Sequence, residues 1–142
     1  MAYSTIDDIK KLLPEEELIL LTDDEALGSV NAARVSEAIA QADAEIDSYC
    51  AVRYTVPVSP LPELLKKLSV DIAVYALYSR TVQSMPEIRA ERYRASVKQL
   101  EGISKGTLTL GVQDIASSEG TEAEANNTTD SSVFTRKGME GF

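Results

Sequence analysis

Two groups of acidic side chains are placed where their types and spacing could do chemistry. The first is Asp23, Asp24 and Glu25, followed by Gly28. A helix–loop–helix calcium loop wants oxygen ligands at alternate positions, a glycine at the sixth and a bidentate Glu at the twelfth. Counted from Asp23, Glu25 is third and Gly28 sixth, but Leu27 is fifth and Arg34 twelfth. The pattern fails where the bidentate ligand belongs, so the segment reads as a solvated acidic loop. The second group is Asp71 with Asp43 or Asp47. Two carboxylates in unlike environments could divide acid and base roles in a hydrolase, but no spacing here joins them. Asp71 lies in the middle of an apolar helical pattern, and a buried carboxylate there needs a partner. Lys67 is one turn back; Arg53, Tyr49 and Tyr54 are candidates across an elbow. The seam of Asp47, Tyr49, Arg53, Tyr54 and Asp71 therefore reads as a structural lock between helices. The sequence has no histidine, which removes the commonest general base and zinc ligand. Its one cysteine, Cys50, forms no intrachain disulfide and no cysteine-rich metal site. No catalytic residue, cofactor or metal ligand is assigned, and an enzyme is not expected.

The elements that must position these residues are mainly helical. Thr5 or Ser4 caps a first short helix with Ile6, Ile9, Leu12 and Leu13 on its apolar face. Pro14 suits the start of a second, and Thr22 to Val30 is a loop. Asn31 caps a third helix whose stripe is Val35, Ala38, Ile39, Ala42, Ile46, Tyr49 and Cys50. Pro57, Pro60 and Pro62 keep Val52 to Pro62 extended. A central helix runs from Glu63 to about Thr81, apolar on two faces and so expected to be surrounded. Ser84 and Glu87 form a capping box for the next helix, which Gly106 ends. Thr107, Leu108, Thr109 and Leu110 alternate as a short strand would, with nothing inside the chain to pair with. Such a strand could add to a sheet made with another subunit.

At 142 residues one domain is expected, burying roughly two-thirds of its unfolded surface. No apolar run spans a bilayer, and no secretory signal pattern opens the sequence, so no membrane partner is expected. The net charge of −9 is uneven: −8 over residues 1–53, +2 over 54–114 and −3 over 115–142. Arg89, Arg92, Arg94 and Lys98 make one helix basic, but a net acidic chain is poorly suited to hold nucleic acid. The acidic end could meet a basic one on a neighbouring copy. Ser117 to Ser132 is polar without periodicity, as in a disordered spacer. Both phenylalanines of the sequence fall in its last ten residues, with Val133, Phe134, Arg136, Met139 and Phe142 forming an apolar, docking-type end. The organisation expected is thus a helical core over 1–111, a flexible linker over 112–132 and a C-terminal docking hook over 133–142. The fold class is mainly α: a small bundle around a central buried helix, with a short strand and an extended C-terminal arm.

Several segments in order resemble one family. They are EEELILLTD at Glu15–Asp23, ADAEIDSYCAVRYTVPV at Ala42–Val58, LPELLKKLSVDIAVYALY at Leu61–Tyr78, ERYRASVKQLEGISKGTLTLG at Glu91–Gly111 and the terminal FTRKGMEGF. The chain is similar to the head–tail connector, or head-completion adaptor, family of Mu-like tailed phages and prophages. That resemblance implies a structural virion protein at the neck, assembled in the host cytoplasm. It implies a homo-oligomeric ring, usually of twelve copies, beneath the portal protein. The ring would extend the DNA channel, pass DNA without specific binding, and carry a tail-completion or stopper protein. Thr107–Leu110 and the Val133–Phe142 hook would serve as assembly contacts. The competing reading is a cytoplasmic helical interaction or regulatory module that forms a small oligomer.

Overall fold

A computed structural model describes residues 2–81, 84–112 and 114–115. Among them the chain forms five α-helices: α1 (Ile6–Leu12), α2 (Glu15–Thr22), α3 (Ala32–Cys50), α4 (Glu63–Ser79) and α5 (Glu87–Lys105). The local chemistry explains each start. The Thr5 hydroxyl accepts from the Asp8 amide, and the Asp8 carboxylate accepts from the Thr5 amide, which satisfies two of the four orphan donors of α1. Pro14 precedes α2, whose first turn is Glu15, Glu16 and Glu17, where negative charge meets the positive end of the helix. Asn31 Oδ1 accepts from Ala33 N and Arg34 N at 3.1 and 3.3 Å.

α3, α4 and α5 form the centre, with the most extensive packing between α3 and α4. α1 and α2 lie against that pair. α4 buries residues all round its circumference, among them Leu65, Leu68, Ile72, Val74 and Leu77. The expected α3 stripe is the buried one, with Tyr49 half-buried beside it. The start of α3 and the end of α4 meet at Asp24, which both Arg34 and Arg80 reach. The two helices therefore run in opposite directions across the elbow of residues 51–62. In that elbow Tyr54 and Val58 turn into the core, while Val52 stays exposed.

Two expectations are corrected. α5 begins at Glu87 behind Pro86 and has no side-chain cap, so Ser84 does not form the capping box. Pro86 is extended at ψ 136° and biases the residue before it away from helix, which leaves Ser84 too far back. Thr107–Leu110 is not a strand, and no strand occurs among the described residues. Leu108 N donates to Gly102 O at 3.1 Å and Leu110 N to the Tyr54 hydroxyl at 3.2 Å. Two alternate amides are thus spent inside the chain, and a partner strand would have to pair with the other edge, Thr107 and Thr109. Of the expected linker, residues 112, 114 and 115 are described: Val112 packs on the core, Asp114 is buried and Ile115 N donates to Arg53 O at 2.8 Å. The rest of the linker, and the hook at 133–142 with Val133, Phe134, Arg136, Met139 and Phe142, lie outside the described residues.

Gly106 closes α5 at φ +86°, a left-handed conformation that a β-carbon disfavours. A β-carbon there would also collide with the Arg53 guanidinium. Gly106→Ala should therefore lower the unfolding free energy by about 1–3 kcal/mol in urea titration. A loss under about 0.5 kcal/mol would show that Arg53 does not need this position empty.

Candidate functional site

The seam expected between α3 and α4 is split into three places. Asp71 is buried on α4, where Lys67 Nζ approaches it at 3.0 Å and Arg92 of α5 lies at 3.9 Å. Lys67 is thus the partner among the candidates named from sequence, and Arg53 is not. Arg53 instead forms an ion pair with the buried Asp114, and its guanidinium sits 5.9 Å from the centre of the Tyr54 ring. The Tyr54 hydroxyl accepts from Leu110 N. Asp47 belongs to a third group, at the N-terminal arm.

That third group is the densest polar arrangement linking distant segments, and sequence reasoning missed its centre. Tyr3 is almost fully buried. Its hydroxyl donates to Asp47 Oδ1 and accepts from Val58 N at 2.9 Å. Its amide donates to Asp43 Oδ2 at 3.1 Å. Asp43 Oδ1 accepts from Ser69 Oγ of α4 at 2.8 Å, and Ser69 shares a 2.7 Å hydrogen bond with Ser4. The arm of residues 2–5 is thereby tied to α3, α4 and the elbow together. The available signal was Ser69, a small polar residue on a helix otherwise apolar on that side. Burial pushes the Tyr3 phenol well above its ordinary range, reinforced by its bond to Asp47. Burial also raises the Asp43 carboxyl, against hydrogen bonds from Ser69 and Tyr3 that lower it, and nearby Asp47 raises it further. Cys50 is fully buried and pushed up to about 11 by burial, then by Asp47.

Asp43 and Asp71 do not converge. Asp43 meets α4 at Ser69, while Asp71 is two residues on, about 200° around the helix. The acidic loop is equally self-contained. Asp23 Oδ1 and Oδ2 accept from Leu27 N and Gly28 N at 2.8 and 2.7 Å, so both oxygens face their own loop. Asp24 is bound by Arg80 first and Arg34 second, which hold its carboxyl below the usual range. Arg34, at the twelfth position, is an ion-pair partner of Asp24 and Glu37. Among the described residues no three His, Cys, Asp or Glu side chains gather as a metal site, and no helix is long and apolar enough to cross a membrane.

Among the described residues, two of the concavities are lined in part by α3. A groove of about 560 Å³ runs along α3, with the N-terminal arm as one wall and Asp43 and Asp47 toward one end. A smaller one, about 360 Å³, lies beside Tyr75 and Tyr93, whose rings stack at 3.9 Å and 7°. The Tyr93 hydroxyl donates to Glu45 at 2.9 Å, which ties α5 to α3. Burial, then Glu45, pushes that phenol up to about 12.

The arrangement defines a class: a small helical bundle whose polar side chains are spent on joining its own segments. The sequence model of the bacteriophage Mu Gp36 family matches residues 3–129, and the chain belongs to that family. Gene product J of Escherichia phage Mu is 34% identical over 145 residues, covering all of this chain and 99% of its own length. The Mu-like prophage FluMu protein gp36 of Haemophilus influenzae is 29% identical over 114 residues, which is 80% of this chain and 79% of its own length.

The network makes two outcomes checkable. Tyr3→Phe removes a hydroxyl that serves both Asp47 and the Val58 amide, and should cost about 1–3 kcal/mol in urea unfolding. A change below about 0.5 kcal/mol would mean that water replaces the hydroxyl at no cost. With its thiol near 11, Cys50 should be almost wholly un-ionised at pH 8 and enclosed. A thiol-reactive dye should label it only after denaturation; rapid labelling of the native chain would contradict its burial.

Proposed function

We propose that this protein is a structural head–tail connector of a Mu-like phage, acting at the virion neck after assembly in the host cytoplasm. Copies form a ring, of about twelve subunits by the family resemblance, below the portal protein. The ring extends the DNA channel and gives a tail-completion or stopper protein its platform. The observation that carries this reading is similarity along the whole chain to a phage Mu gene product. The bundle agrees with it, because polar groups such as Tyr3, Asp43, Ser69 and Asp71 are engaged in joining segments of one chain. On this reading the protein catalyses nothing and needs no cofactor. DNA passes without specific binding, since the net charge is −9 and counterion-release binding needs clustered bases.

The assembly contacts are the C-terminal segment 133–142, which reaches the portal or a neighbouring copy, and the outer edge at Thr107 and Thr109. Mixing the full chain with a portal protein of the same phage should give a ring on the portal in electron micrographs. The chain lacking residues 133–142 should keep its helical circular dichroism and lose portal docking or ring formation. A fixed small oligomer that ignores the portal would instead favour a cytoplasmic interaction or regulatory module. Functional necks formed by the truncated chain would remove the segment's role.

A further inference from the structure

The groove along α3 has a floor of small residues. Ala32, Ser36, Ala40 and Ala44 recur once per turn and let an apolar ligand approach the helix closely, while Ile6 and Ile39 line it with larger apolar surface. Asp43 and Asp47 line it as well. Their hydrogen-bond donors are neutral: the Tyr3 amide and hydroxyl, and Ser69. No ion pair among the described residues joins either carboxylate to a Lys or Arg side chain, and the only cation that acts on Asp43 is the chain's amino terminus, the weakest of the influences on that carboxyl. An apolar groove with two such carboxylates fits an apolar segment that carries cations.

The chain itself holds a segment of that chemistry. VFTRKGMEGF, residues 133–142, contains both phenylalanines of the sequence and the only two bases beyond residue 114, Arg136 and Lys137. The 17 residues of 116–132 separate it from Ile115, which is held to the Arg53 carbonyl. Extended, that length spans up to about 60 Å, against a radius of gyration of roughly 14 Å for a domain of this size. The segment can therefore reach another molecule. We propose that residues 133–142 of one copy occupy the α3 groove of the next, with phenylalanine on the small-residue floor and Arg136 and Lys137 facing Asp43 and Asp47. This rests on the connector reading, and it makes the contact heterologous: each copy gives a segment and receives one, so the contact can close into a ring.

The test uses a fluorescent peptide of sequence VFTRKGMEGF and, as receptor, the full chain carrying Phe134→Ala and Phe142→Ala, whose own segment is weakened. Saturable binding is expected. Ala40→Trp in the receptor, at an exposed floor position, should weaken binding at least tenfold while helical circular dichroism is unchanged. A peptide with Arg136→Glu and Lys137→Glu should weaken it by a similar factor. No binding at millimolar peptide, or binding indifferent to Ala40→Trp or to the charge reversal, overturns the proposal. The wild-type chain should also self-associate in sedimentation as its concentration rises, and the Ala40→Trp chain should not. A wild-type chain that stays monomeric, with a groove that still binds the peptide, places the segment on its own molecule and overturns the contact between copies. The two readings fail separately. Peptide binding and self-association without portal docking would leave the groove contact and remove the connector. Portal-bound rings that persist with Ala40→Trp would do the reverse.

Discussion

The rest of the fold depends on α4 being unable to face water on any side. Leu65, Leu68, Ile72, Val74 and Leu77 are each 3% exposed or less, and they point in different directions around the helix. Burying each such side chain contributes about 1.5–3 kcal/mol, so the helix is stable only when covered. α3 and α5 supply two walls, and α1 and α2 complete the cover. Within that apolar surround, polar groups set the register. Ser69 faces Asp43 of α3, and Asp71 faces Lys67 and Arg92. Lys67 lies on the same helix as Asp71, so the rotation of α5 is set instead by Tyr93, which donates to Glu45 of α3, with Arg92 approaching Asp71 from the same helix.

A second dependence runs through the elbow of residues 51–62. The Val58 amide donates to the Tyr3 hydroxyl, which anchors the N-terminal arm. Tyr54 and Arg53 receive Leu110, Asp114 and Ile115 from the other side. Both described ends of the chain are therefore fastened to one hinge between α3 and α4. The groove on α3 has Asp47 toward the elbow and Ala32 at the far end of the same helix. The geometry separates two jobs. Side chains near the elbow hold one molecule together, and in the proposed contact the exposed small-residue face of α3 receives another.

The helices were legible because their signals are local. Apolar residues at three- and four-residue steps, Thr5 and Asn31 as caps and Gly106 as a stop each act within a turn or two. The i,i+4 pairing of Asp71 with Lys67 was legible for the same reason. What escaped were bonds across 26 to 61 positions, such as Asp43 with Ser69 or Tyr78 with Glu17, which exist only once the helices have docked. Arg53 illustrates the difficulty. It was a candidate for Asp71 across the elbow, but a carboxylate 61 positions away, Asp114, takes it, in space that Gly106 leaves open. The strand at Thr107–Leu110 failed by a related mechanism. Alternation is also compatible with an extended segment whose inner amides bond to a tyrosine hydroxyl and a helix carbonyl.

Charge placement bears on what a ring of such subunits could do. The described chain spends many of its bases internally: Arg34 and Arg80 on Asp24, Arg53 on Asp114, Lys67 and Arg92 on Asp71 and Lys66 on Asp8. Each pair removes a cation from the set that could hold phosphate. The exposed bases of α5, chiefly Arg94 and Lys98, do not offset twelve acids in residues 1–53. Tight DNA binding needs several bases to release counterions together, with affinity that rises steeply in their number. A conduit for DNA has the opposite requirement, because each strong phosphate contact would have to be broken as the duplex moves. Internal pairing therefore serves two ends in the proposed connector. It helps to orient the helices, and it leaves fewer unpaired cations to hold phosphate on a chain whose composition is already acidic.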